Sequence, residues 1–150
     1  MAHDGQYDLM IETPVMKDIL ALTQQAVKPL ETLNTKAINN LRELVTLDNK
    51  VSSSLIETHQ SAAHGVAWLA TYTESIRQMV KWGEKVSEQN NFGQTEQLLL
   101  QIAVSEYLGQ ILGGIMMSQG EIFRLNDIGL TTLDLSEFQT QAVKDLIQNG

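Results

Sequence analysis

The chain contains no cysteine, which excludes a disulfide scaffold, a thiolate metal site and a cysteine nucleophile. Aromatic residues are scarce at 5%, so a core must be built from Leu, Ile, Val, Ala and Met, a composition that suits packed helices. Positive charge is also in short supply. Ten Lys and Arg, scattered singly, stand against eighteen Asp and Glu, a formal net charge of −8 that would repel a phosphate backbone and excludes nucleic acid as a partner. The start, MAHDGQYDLM, lacks the basic and apolar regions of a secretory signal, so the chain reads as cytoplasmic. The most apolar run, residues 98–117, is interrupted by Gln101, Ser105, Glu106 and Gln110, which places it inside a bundle and not across a membrane.

What is present is helical periodicity. With 150 residues, one domain over 14–150 following a flexible tail at 1–13 can bury roughly 70% of its unfolded surface. Thr13 and Pro14 read as N-cap and first helical residue. From there Ile19, Leu22, Ala26, Leu30, Leu33, Ala37, Leu41 and Leu44 form one apolar stripe, whose phase survives Pro29 and so predicts a kink there without a break. A weak boundary at 47–54 precedes a second helix starting near Ser53. Its stripe of Leu55, His59, Ala62, Val66, Leu69, Thr73, Ile76, Val80 and Gly83 alternates spacings of four and three, suited to shallow packing angles. The Asn-Asn-Phe-Gly stretch within 87–94 is a loop, and a third helix follows over about 95–114. The pair Gly113–Gly114 ends it; Ser118 and Glu121, in capping-box spacing, predict a short helix from Gln119, and a last helix spans Ser136–Gln148.

The expected fold is therefore all-α: an antiparallel up-and-down bundle of three long helices, near 14–46, 53–88 and 95–114, plus two short C-terminal helices. Ala62, Val66, Leu69, Ile76, Leu98, Ile102 and Leu112 are expected in its core.

Catalytic signatures are missing. His59 and His64 lie five apart, about 140° around a helix, so they do not share a metal-binding face, and no Glu is followed by His three residues later as a di-iron bundle requires. Nucleophile elbows and glycine-rich phosphate loops are absent as well. Glu106, in the middle of the most apolar helix, is expected to be buried and paired with Arg77, His64 or a tyrosine hydroxyl. The Gly after His64 suggests close approach of a neighbouring helix, and Gly109 with Gly113 suggests tight helix packing. His64, Trp68, Tyr72, Arg77, Trp82, Glu106 and Tyr107 are the candidate interface or pocket residues; none is assigned to catalysis, cofactor binding or metal binding.

The segments HGVAWLATYTESIRQMVKW, residues 64–82, and FGQTEQLLLQIAVSEYLGQILGGIMMSQGEIFRLNDIGL, residues 92–130, resemble the amino-terminal helical extension that precedes the flavoenzyme portion in some members of the acyl-CoA dehydrogenase family. Residues 1–60 resemble it only in being helical. The family oxidises a saturated acyl-CoA thioester at Cα–Cβ, with a catalytic glutamate taking the α-proton and FAD accepting hydride. Those parts belong to a much larger core that this chain lacks. By this resemblance no residue here inherits a catalytic or flavin-binding role, Glu106 included, and FAD is expected only in an attached or partner flavoprotein core. The resemblance implies an accessory domain that docks on that core, on a second copy of itself in a homodimer, or near the acyl-CoA entrance. Two alternatives stand beside it: a free-standing self-associating bundle, and a small bundle that binds an acyl or cofactor ligand between its helices, with Glu106 and His64 lining the pocket.

Overall fold

A computed structural model describes residues 14–150; Thr13 and the 1–13 tail lie outside the described residues. The fold is mostly α-helical, as expected. Three long helices make its frame: α1 (Ile19–Val45), α3 (Gln60–Glu88) and α4 (Gln94–Gly113). Residues 24 and 31 of α1 meet 84 and 77 of α3, and 72 of α3 meets 110 of α4, so successive long helices run antiparallel.

The first helix begins five residues later than Pro14. Residues 14–16 instead form an irregular lead-in held to α4 by buried Gln101, whose Oε1 accepts from Met16 N–H at 2.7 Å and whose Nε2 donates to Pro14 O at 3.0 Å. Asp18, at φ 55°, then turns the chain into the helix. From Ile19 the helix is continuous through Pro29, and Ile19, Ala26, Leu30, Leu33 and Ala37 of the expected stripe are buried. At its end the register drifts, so Val45 is buried and Leu44 is exposed.

The next segment holds more structure than the sequence suggested. Strands β1 (Thr46–Leu47) and β2 (Lys50–Val51) pair antiparallel across Asp48–Asn49, both with positive φ, the backbone a two-residue hairpin turn requires. Ser52 then caps α2 (Ser53–Thr58), accepting from Leu55 N–H. The expected single helix from Ser53 to Glu88 is two helices, because His59, at φ −109° and ψ 29°, leaves the helical region and caps both. Beyond it α3 keeps its predicted stripe: Val66, Leu69, Thr73, Ile76, Val80 and Gly83 are buried. Ala62 is only half-buried.

The largest correction falls after α4. Instead of a helix from Gln119, β3 (Ile115–Met116) and β4 (Ile122–Phe123) pair antiparallel, and Ser118–Gly120 is a single 3₁₀ turn between them. Gly114 at φ 125° reverses the chain, and Ile115 and Phe123 point into the core, so burial of alternate residues overrides the cap-like spacing of Ser118 and Glu121. Phe123 also explains Gly65: a Cβ there would overlap the Phe123 ring, so the neighbour is a hairpin side chain and not a helix. The last predicted helix is likewise divided. Thr131 and Asp134 form a reciprocal cap on α5 (Thr132–Phe138), and Thr140 caps α6 (Gln141–Asn149).

In α4 the buried face is Leu100, Gln101, Val104, Ser105, Leu108 and Ile111. This corrects the expected core: Ile102 is 55% exposed, and Leu98 and Leu112 are half-buried. The helix is apolar on nearly every side, so its sequence does not say which side faces inward. Gly109 and Gly113 face open space, with no atom within 4 Å of a Cβ at either, which overturns tight packing as their purpose.

Helix α6 packs on both α1 and α4, and α5 is pinned to α1 by Lys36, whose Nζ bridges Asp134 at 2.6 Å and Glu137 at 2.7 Å. The Lys36 ammonium, with the Thr131 N–H and hydroxyl, holds the Asp134 carboxyl well below its ordinary value of 3.8. A depressed folded-state pKa contributes stability that is present above the unfolded value and is lost as pH falls through the folded one.

Two outcomes follow from this packing. Leu69 is fully buried, and Leu69→Ala is expected to cost about 2 to 5 kcal/mol in urea unfolding. Asp134→Asn is expected to flatten the loss of stability below pH 4, read from denaturation midpoints along an acid series; an unchanged acid limb would remove the ion pair from the account.

Candidate functional site

Four of the sequence-selected residues are assembled into one row. Along α3, His64, Trp68 and Tyr72 follow one another at four-residue spacing, and Tyr107 of α4 completes the row. The Trp68 indole N–H donates to His64 Nε2 at 3.0 Å, Trp68 meets Tyr72 edge-on with centroids 6.1 Å apart, and Tyr72 lies 4.5 Å from Tyr107. The Tyr72 hydroxyl donates to Gln110 Oε1 at 2.8 Å. Burial, with Tyr107 beside it, pushes the Tyr72 phenol above its ordinary value of 10.0, so it stays a donor near neutral pH.

The remaining three lie elsewhere or are differently used. Arg77 faces α1, where Nε meets Glu31 Oε1 at 3.0 Å and the guanidinium also reaches Glu74. This pairing is surface electrostatics of modest strength, roughly 0 to 1 kcal/mol. Trp82 packs separately, half-buried against the core. Glu106 is exposed, which corrects the expectation of a buried, paired carboxylate. The inward face of α4 lies a fraction of a turn away, on Val104, Ser105 and Leu108, so Glu106 needs no buried counter-charge.

The row opens into a groove of about 510 Å³ between α3 and α4, lined by Ser75, Gln78, Met79, Ile102, Ala103, Glu106 and Tyr107. Of these, Ser75, Gln78, Met79, Ile102 and Ala103 were not recognised as site residues from the sequence. For Ile102 and Ala103 the signal was the excess of apolar residues on α4 over what one buried face needs. Other apolar side chains are exposed on the two hairpins and α2: Leu47, Val51, Ile56, Met116 and Ile122. Among the described residues no three His, Asp or Glu groups cluster as a metal site would require, and no helix is long and apolar enough to cross a membrane.

Such a site can bind an apolar surface, and it holds no arranged acid, base and nucleophile. No protein-family profile matches the chain. The (2S)-methylsuccinyl-CoA dehydrogenase of Cereibacter sphaeroides is 46% identical to it over 141 residues, 94% of this chain. The chain matches one region of an acyl-CoA dehydrogenase. It spans a quarter of the length of that relative. A match of 141 residues also reaches well into the first 60, where the sequence alone suggested nothing beyond shared helicity.

The aromatic row yields a direct check. Tyr72→Phe deletes one half-buried hydrogen bond and keeps the ring, so it is expected to cost about 0.5 to 1.5 kcal/mol. Tyr72→Ala, which also empties the ring's space, is expected to cost roughly 3 to 5 kcal/mol. Equal costs for the two variants in chemical denaturation would show that the ring packing contributes nothing.

Proposed function

We propose that the chain is a non-catalytic helical accessory domain that docks on the flavoprotein body of an acyl-CoA dehydrogenase. The observation that carries this reading is the mismatch of coverage: nearly the whole chain is matched, at 46% identity, by a quarter of a dehydrogenase, leaving the remaining three quarters for the chemistry. The family resemblance of residues 64–82 and 92–130 supports reading this quarter as the amino-terminal extension.

FAD belongs, in this reading, to the body. A dinucleotide pyrophosphate favours a helix N-terminus with free donors and no negative charge. Helix α4 instead carries Glu96 in its first turn, and Asp18 stands at the start of α1. The α3–α4 groove has one charged lining residue, the carboxylate of Glu106. Neither these two helix starts nor the groove suits FAD, and no step of a dehydrogenation is assigned to them.

Self-association is a second reading, favoured by the apolar side chains exposed on the hairpins, Leu47 and Val51 on one and Met116 and Ile122 on the other. It is compatible with docking, since these hairpin side chains do not line the α3–α4 groove.

The accessory reading is tested by calorimetric titration of the 150-residue chain with FAD and a short branched acyl-CoA, and by assay of turnover with an artificial electron acceptor. No binding and no turnover are expected. Micromolar flavin affinity or measurable oxidation would make this a catalytic domain.

A further inference from the structure

Three long helices create three seams, and each is treated differently. The α1–α4 seam is covered by α6. Across the α1–α3 seam, Arg77 binds Glu31 and Gln24 Nε2 donates to Glu84 Oε1 at 2.8 Å, so a polar lattice closes it. The α3–α4 seam is covered at one end by the β3–β4 hairpin, but along residues 75–79 and 102–107 it is open among the described residues, and this open stretch is apolar, with Met79, Ala103, Ile102 and Tyr107 at its surface. Helix α4 carries more apolar residues than its own packing covers: Leu99 and Ile102 on its outward side are both more than half exposed, facing the groove and solvent, and exposed apolar surface of this kind favours a covering partner.

We propose that one amphipathic helix of the flavoprotein body lies in the α3–α4 groove and completes a four-helix arrangement, presenting an apolar ridge to Met79, Ile102, Ala103 and Tyr107 and a basic residue to Glu106. The proposal rests on the accessory reading and deepens it by naming the surface and the partner's chemistry. Charge selects the occupant. A second copy would bring another net −8 and, in a two-fold arrangement, a surface of like charge, whereas a basic-edged helix complements the single carboxylate of the groove. Linkage favours it too: in the matched relative the corresponding segment and a body three times its length share one chain, so docking there is intramolecular and a modest apolar groove suffices.

The test uses a full-length chimera in which this chain replaces the matching quarter of the Cereibacter sphaeroides enzyme. A benzophenone amino acid replaces Ile102 in one version and Leu47, on the β1–β2 hairpin, in another; irradiated products are mapped by mass spectrometry. Crosslinks from position 102 into the body, severalfold more abundant than from position 47, are expected, and Glu106→Lys should reduce them. Crosslinks into the body from position 47 alone would overturn the groove assignment while leaving the accessory reading intact. Crosslinks from position 102 into a second copy would overturn the choice of occupant, and an unchanged yield in Glu106→Lys would overturn the basic residue. No crosslink into the body from either position would overturn the proposal together with the reading beneath it. Should the chimera fail to fold, the same two labels at the aligned positions of the intact relative give the same decision.

Discussion

Everything in this fold leans on the buried stripe of α1. Ala26 and Ala37 are small enough to let neighbouring helices approach closely, Leu30 and Leu33 fill the space between them, and α3, α4, α5 and α6 all pack against the same 27-residue helix. A proline within that helix removes one backbone hydrogen bond, a loss of about 3 kcal/mol in an isolated helix interior. The stripe tolerates it because burial on both sides of Pro29 keeps the two halves in phase. The helix is thus held by tertiary packing more than by its own ladder.

Once α1 is fixed, the other seams follow. Polar groups take the α1–α3 side, where Glu31, Arg77, Gln24 and Glu84 interlock, and α6 takes the α1–α4 side. Among the described residues, the α3–α4 side keeps an apolar surface with aromatic neighbours. That asymmetry is what the proposed accessory reading uses, since an apolar seam left open suits a covering partner. The aromatic row is part of the same logic. Its hydrogen bonds from Trp68 to His64 and from Tyr72 to Gln110 fix ring orientations beside the groove.

Some of the candidate site was legible in the residue pattern and some was not. His64, Trp68 and Tyr72 follow at four-residue spacing on one helix, so periodicity alone brings them together, while Tyr107 joins them only by the antiparallel pairing of α3 with α4. Arg77 and Trp82 share that helix but sit off the row, because position on a wheel does not reveal which neighbour lies opposite. Glu106 was misplaced for a different reason. A helix with Leu98, Leu99, Leu100, Ile102, Val104, Leu108, Ile111 and Leu112 gives no phase information, so the inward side could not be chosen without the partners that select it.

By itself, the sequence determined the three long helices, the loop at 87–94, the buried side of α1 and α3 and the glycine pair that ends α4, because each depends on local periodicity, capping or backbone freedom. Only the tertiary structure decided the rest. The hairpin at 115–123 exists because Ile115 and Phe123 find space in the core beside Gly65, against a local pattern that resembles a helix start. The divided C-terminal helices and the lead-in held by Gln101 likewise answer to distant partners, Lys36 for the first and α4 for the second. Contacts made across about a hundred residues of chain, or nearly so, are selected by the shape already built, and no local pattern encodes them.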